Sequence, residues 1–289
     1  MDTNSSPVDC CLVIGATGMV GGYLMKQLTA QGVHPVGLAR SAPEAPGWIS
    51  ADAGDLASVA DSLPACSTVF STASIQSLAK AVPVLAGKGV RRIVAFTSTS
   101  ILTKLESPIA SERHGLRELV QGERDFIAAC ERQAIRWTVL RPTIIYAEGT
   151  DINVTRVAKV IRRFGFLPIA GSGCGLRQPV HAEDLAIGAV AAARSDCAVN
   201  KVYVLSGADT ITYREMAGRI FDGLGRPRRV VAFPRWLWRL AFRAASPMFP
   251  GLNVAMGDRM NQDMAFDTAD AARDFGWKPR GFRPDFARL

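Results

Sequence analysis

The chain is poor in the residues that mark metal, disulfide and membrane proteins. Six cysteines are scattered over 289 residues with no Cys-x-x-Cys and no Cys/His metal spacing, and only three histidines occur. That pattern excludes a zinc module and a disulfide framework, and it predicts reduced, mostly buried thiols and no metal site. No apolar run approaches the ~20 residues that span a bilayer. The longest uncharged stretch near the C-terminus, 244–257, is broken by two prolines and two glycines. Met1 to Ser6 has no basic segment, and the apolar run Cys10 to Ile14 is too short for a secretory signal, so a cytoplasmic location is expected. Acids are missing between Arg226 and Gly257, where six arginines fall. The net charge of +8 favours anionic ligands. Motifs of helix-turn-helix, RNA-binding or zinc-finger type are absent, so no nucleic-acid partner is expected.

What is present is a globular balance, 48% hydrophobic and 21% charged, enough for a large core. Short apolar runs alternate with helical stretches through the first two-thirds. The pattern predicts strands at Cys10–Gly15, His34–Ala39, Trp48–Ala51, Thr68–Ser71, Arg91–Ser98 and Arg136–Arg141, with a later one at Lys201–Leu205. Helices are predicted at Met19–Gln31, Leu56–Leu63, Ile75–Gly87 and Glu112–Gln133. Such alternation implies βαβ units and a parallel sheet with helices on both faces. The glycines of 171–175 and the breaks at Pro234, Pro247 and Pro250 mark loops of a second lobe. The expected division is 8–150 plus 177–207 for a dinucleotide-binding domain, and 151–176 plus 208–289 for a substrate lobe.

The first strand runs directly into Gly15-Ala-Thr17-Gly18-Met19-Val20-Gly21, then into a helix. Gly15 permits the tight turn, Gly18 lets backbone approach a pyrophosphate, and Gly21 lets the helix pack close on the strand. Phosphates at the helix N-terminus meet unpaired N–H groups and the positive end of the dipole. Strand, glycines and helix in this order predict a Rossmann-type α/β fold, a doubly wound parallel sheet with a smaller, discontinuous C-terminal substrate lobe. The second strand ends in Ala39-Arg40-Ser41 with no acid to hold a ribose 2′-OH. An arginine there suits a 2′-phosphate, so NADP is favoured over NAD. Asp52, after the third strand, is placed to reach the adenine amine.

The chain resembles the extended or atypical branch of the short-chain dehydrogenase/reductase superfamily, the epimerase/dehydratase type. Besides the glycine motif, the likeness rests on Phe96-Thr-Ser98-Thr-Ser100, on Leu140-Arg-Pro142-Thr143-Ile-Ile145-Tyr146, and on Arg177-Gln-Pro-Val-His181-Ala-Glu-Asp184. The resemblance implies that Pro142, Thr143 and Ile145 line the nicotinamide, with Thr72 and Ala73 also at the cofactor. It implies that Ser98 or Ser100 supplies an active-site hydroxyl, Ser98 also touching the cofactor. It places Arg177, Ser100 and Tyr146 near a small-molecule substrate such as a sugar nucleotide. It also implies a homodimer through helices beside the sheet.

The family's Tyr-x-x-x-Lys proton donor is missing. The residues four places after the four tyrosines are Gln27, Thr150, Gly207 and Ala217. Tyr146, His114 and Ser98 are the substitutes offered, and His181 reads as a structural hydrogen bonder. Two accounts therefore stand: an NADP-dependent oxidoreductase or epimerase with a non-standard donor, or a catalytically silent dinucleotide-binding protein. The segment Pro234-Arg-Trp236-Leu237-Trp-Arg-Leu240-Ala-Phe-Arg243 also has two readings. One is a weak peripheral membrane contact through 234–243. The other is a lobe helix that packs Trp236, Leu237 and Leu240 inward.

Overall fold

The structure, a computed structural model, describes residues 10–104, 106–238 and 254–287. The strands are β1 Cys10–Ile14, β2 His34–Ala39, β3 Trp48–Ser50, β4 Thr68–Ser71, β5 Arg92–Phe96, β6 Arg136–Pro142, β7 Ile145–Tyr146, β8 Leu167–Ala170, β9 Leu176–Arg177, β10 Val180–His181, β11 Lys201–Leu205, β12 Ile211–Thr212 and β13 Val230–Phe233. The helices used below are α1 Met19–Ala30, α2 Ile75–Gly87, α3 Ser100–Thr103, α4 Ala110–Arg132, α5 Val154–Phe164, α6 Ala182–Arg194 and α7 Tyr213–Gly223. The predicted helix at 56–63 is a 3-10 segment, Leu56–Ser62, kinked at Val59.

Seven parallel strands form one sheet in the order β11-β6-β5-β4-β1-β2-β3. The order reverses between β1 and β4, and doubly wound sheets bind ligands at such a switch point, beyond the strand carboxyl ends. Alternate residues explain the layering. Leu12, Ile14, Val69, Ile93, Ala95 and Val139 share a core with the apolar face of α2 and α4. Val13, Phe70, Val94 and Leu140 are equally buried but point the other way, as the period of two requires. Strands buried on both faces read as the continuous apolar runs seen in the sequence.

The chain divides into two units. The first comprises 1–142, 182–205 and 268–278, and the second 143–181, 206–267 and 279–289. The second unit has its own core, in which Val154, Ala158 and Ile161 of α5 meet Ile220 and Phe221 of α7 and Phe282. Its short sheets pair β7 with β10, β9 with β12 and β8 with β13.

This division corrects the expected boundaries. Residues 143–150 and 177–181 belong to the second unit, because β7 and β10 pair there. Residues 268–278 belong to the first, against the expectation that everything after 208 is substrate lobe. The reason is Asp274. Its carboxylate accepts from Tyr203 Oη at 2.6 Å, Lys201 Nζ at 2.8 Å and Arg273 Nε at 3.0 Å, while Ser195 Oγ donates to its carbonyl at 2.6 Å. Trp277 covers Gly188 so closely that a Cβ there would lie 2.5 Å from the ring.

The hydrogen bonds from Lys201, then Tyr203, hold the Asp274 carboxyl down at about 2, below the ordinary ~3.9 of an aspartate. A depressed folded-state value stabilises the fold above pH ~4, and the gain is lost as pH falls through about 2. Asp274→Asn is therefore expected to lower Tm at neutral pH. The gap to the parent protein should narrow steadily in thermal melts between pH 5 and pH 3. A gap that does not change with pH would show that the carboxylate charge is not what holds this segment.

Candidate functional site

The turn after β1 is built from close backbone approach. Gly15 has φ +79°, and a Cβ on it would lie 2.4 Å from Thr72 Oγ1. Its N–H and that of Ala16 donate to the Leu38 carbonyl at 2.8 and 3.2 Å. Thr72 Oγ1 donates to the Gly15 carbonyl at 3.0 Å, so the ends of β1, β2 and β4 are tied to one loop. A Cβ on Gly21 would sit 2.2 Å from the Gly15 carbonyl oxygen, which is why α1 can start so near the strand only with glycine there. Gly18, the N-cap of α1, has no side-chain hydrogen bond to the helix. The first-turn N–H groups, Met19 and Val20 among them, have no acceptor one turn back.

These elements frame a cavity of about 410 Å³, lined by Gly15, Thr17 and Gly18, by Arg40 at the end of β2, by Asp52 beyond β3, and by Thr72 and Ala73 beyond β4. Leu38, Ala39 and Ala53 supply apolar walls. Small residues, an uncapped helix start and a cation at the rim fit the adenosine-diphosphate half of a dinucleotide. Arg40 is exposed, and among the described residues it forms no ion pair. Asp52 Oδ1 accepts the Gly54 N–H at 2.7 Å.

At the end of β5, Ser98 Oγ donates to Ser100 Oγ at 3.1 Å and accepts the Ser100 N–H at 3.1 Å. Both serines are half-buried. Thr99 Oγ1 and N–H fix the carbonyl of Pro142 at 3.0 and 3.1 Å, aligning the ends of β5 and β6. Thr143 and Ile145 lie in the second unit. Thr143 Oγ1 donates to the Gln178 carbonyl, and Ile145 pairs with Val180.

The structure places three of the expected site residues as follows. Tyr146 is not an accessible phenol. It is 1% exposed, packed edge-on to His181 and Phe282 at ring separations of 5.0 and 4.9 Å, because the pleat of a two-residue strand turns it into the second unit's core. His114 lies on the outer face of α4, its ring 3.3 Å from Glu118 one turn on, with a side chain 77% exposed. Arg177 is not free to meet a substrate. It is buried, and its guanidinium donates to the carbonyls of Leu176, Gln262 and Arg259. Helix α4 carries no tyrosine and no lysine. His181, read from the sequence as a structural hydrogen bonder, is buried with Nε2 3.3 Å from the Glu148 carboxylate.

One group was missed. Glu123 of α4 is buried and accepts from Thr97 Oγ1 at 3.0 Å and Arg141 Nε at 3.2 Å, with a second bond from the Arg141 fork. Its partners come from the residue just past β5 and from β6, far from α4 in sequence, so no local spacing announces them. Among the described residues no cluster of metal-ligating side chains occurs, and no helix is long and apolar enough to cross a membrane.

A family of NAD(P)H-binding proteins matches residues 15–164, a stretch that holds the glycine turn, Arg40, Asp52 and Thr72. The chain belongs to this NAD(P)H-binding family. Among curated relatives it is 28% identical to the mitochondrial NADH dehydrogenase [ubiquinone] 1 alpha subcomplex subunit 9 of Arabidopsis thaliana. That match covers 77% of the chain and 60% of the relative, so the chain spans only part of that protein's length. It is 22% identical to the UDP-glucose 4-epimerase of Vibrio cholerae over 93% of the chain and 90% of the enzyme. Among solved structures, an epimerase of Methanothermobacter thermautotrophicus superposes with a TM-score of 0.72 at 20% identity, covering 95% of this chain and 89% of that one. MoeE5, solved with UDP-glucuronic acid and NAD, superposes with 0.71 at 18% identity and 94% of each chain. The family match bears out the NAD(P)H-binding reading of the sequence, and the solved structures bear out the fold.

The geometry separates two glycines. At Gly18 an added Cβ meets the Gly15 carbonyl oxygen at 3.1 Å, tighter than ordinary contact, and Thr72 Oγ1 at 3.8 Å, so a side chain there asks a small shift of the turn. At Gly21 it collides with backbone. Gly18→Val is expected to keep the fold at a modest cost in Tm, smaller than that of Gly21→Ala, and to lose NADPH binding by more than tenfold in titration calorimetry. Gly21→Ala is expected to lower Tm with or without cofactor. Normal cofactor affinity in Gly18→Val would contradict this account of the turn.

Proposed function

We propose that the chain is an NADP(H)-dependent oxidoreductase of the epimerase/dehydratase kind that acts on a carbonyl substrate, with a proton donor other than the Tyr-x-x-x-Lys pair. The observation that carries the cofactor choice is Arg40, an unpaired cation at the rim of the cavity where NAD-selective sites place an acid. When bound, the nicotinamide supplies hydride chemistry. The protein's part is binding and orientation. The uncapped start of α1 holds the pyrophosphate, and Arg40 pairs with the 2′-phosphate. The hydrogen-bonded hydroxyls of Ser98 and Ser100 hold a proton at the end of β5. The epimerase relatives favour a sugar nucleotide as the carbonyl substrate.

The second reading, a silent dinucleotide-binding protein, is favoured by the absence of tyrosine and lysine from α4 and by the burial of Tyr146. The respiratory-complex relative is consistent with it. Turnover of NADPH in a screen of carbonyls and sugar nucleotides separates the two.

NADPH is expected to bind more tightly than NADH. An exposed charge-assisted contact sits at the low end of its range, about 1.5 kcal/mol or roughly tenfold. Arg40→Ala should erase that preference and leave NADH affinity unchanged, read by calorimetry with both cofactors. Equal affinities in the unaltered protein would overturn the NADP assignment.

A further inference from the structure

The second unit contains a larger cavity, about 760 Å³, within the ~300–1,000 Å³ of small-molecule sites. Its wall is apolar. Val157 and Val160 line it from α5 at one-turn spacing, and Leu167, Met216 and Trp238 close it. Ile152, 82% exposed, stands at its edge. A wide apolar lining of this kind offers little to a sugar or a uracil, whose polar groups would lose water without gaining partners.

Among the described residues, the charged groups at the cavity are two cations and one acid, and the acid is occupied. Asp151 accepts the N–H groups of Asn153, Val154 and Thr155 and the Thr155 hydroxyl, so it is spent on starting α5. Arg156 and Lys159 are exposed, lie on the cavity's α5 side, and make no ion pair among the described residues. An apolar chamber with unpaired cations at its mouth has the chemistry to take an apolar chain inside and an anionic head outside.

We propose that this cavity is a binding site for a single-chain amphiphile, a fatty-acyl or isoprenoid chain with an anionic phosphate or carboxylate head. The chain lies along Val157 and Val160, and Arg156 and Lys159 hold the head. The site belongs to the second unit alone and does not rest on the cofactor assignment.

The test is calorimetric titration of the full chain with n-dodecyl phosphate below its micelle concentration. Inorganic phosphate, dodecanol, UDP-glucose and phosphatidylglycerol vesicles are the comparison probes. Dodecyl phosphate should bind at least tenfold more tightly than inorganic phosphate or dodecanol. Val157→Trp, which fills the chamber, should cut that affinity at least tenfold. The exposed double variant Arg156→Glu/Lys159→Glu, which leaves the core untouched, should weaken dodecyl phosphate tenfold and leave dodecanol unchanged. NADPH affinity should stay constant in both variants. Dodecyl phosphate no tighter than phosphate, or insensitivity to the charge reversal, would overturn the proposal. So would UDP-glucose binding that Val157→Trp abolishes, or adsorption to vesicles without uptake of the monomeric amphiphile.

Discussion

Everything at the first site depends on how closely α1 approaches β1. The carbonyl of Gly15 occupies the space where a Cβ on Gly21 would stand, so the helix begins almost on the sheet edge. That start has no capping side chain, and its partial positive charge and open N–H groups are left for a ligand. The same carbonyl accepts from Thr72, which brings the end of β4 to the turn, and the Leu38 carbonyl anchors Gly15 from β2. A pyrophosphate-sized anion is the species this arrangement favours. The sheet's switch point puts it at the one edge where a doubly wound fold can hold it.

The rest of the molecule spends its polar groups on architecture. Arg177, Asp151, Asp274 and the Glu123–Arg141 pair are all charged residues whose partners are backbone or neighbouring side chains. Burying such groups is tolerable only because their hydrogen bonds are satisfied. It leaves few side chains for chemistry. In the first unit the Ser98–Ser100 pair at the end of β5 is a hydroxyl pair well placed for it, half-buried and mutually bonded. A serine pair on its own is a weak acid–base device. The first unit is therefore built as a binder of a dinucleotide.

Local pattern carried the first unit and failed in the second. Cys10–Ile14 into Gly15, and α2 at Ile75–Gly87, were legible because periodicity and turn chemistry are short-range signals. The helix at 269–275 was placed with the wrong unit, because what holds it is a bond between Asp274 and Tyr203, 71 residues apart. Tyr146 and Arg177 follow the same logic. Their residue types suggested chemistry, but exposure is decided by partners from distant segments, Phe282 for one and the carbonyls of Arg259 and Gln262 for the other. The reading of 234–243 as a membrane helix falls partly outside the described residues. Within them Trp236 is 68% exposed, against the inward packing expected of it as part of a lobe helix, while Trp238 is buried.

The central claim is that the β1–α1 turn is the cofactor's phosphate cradle. Hydrogen–deuterium exchange with and without NADPH tests it most directly, since bound phosphates would occupy the amides in question. Slowed exchange greatest in 15–22, with smaller protection at 38–41 and 72–74, is the result this account predicts. Protection elsewhere with no change in 15–22, at NADPH concentrations that saturate binding, would contradict it.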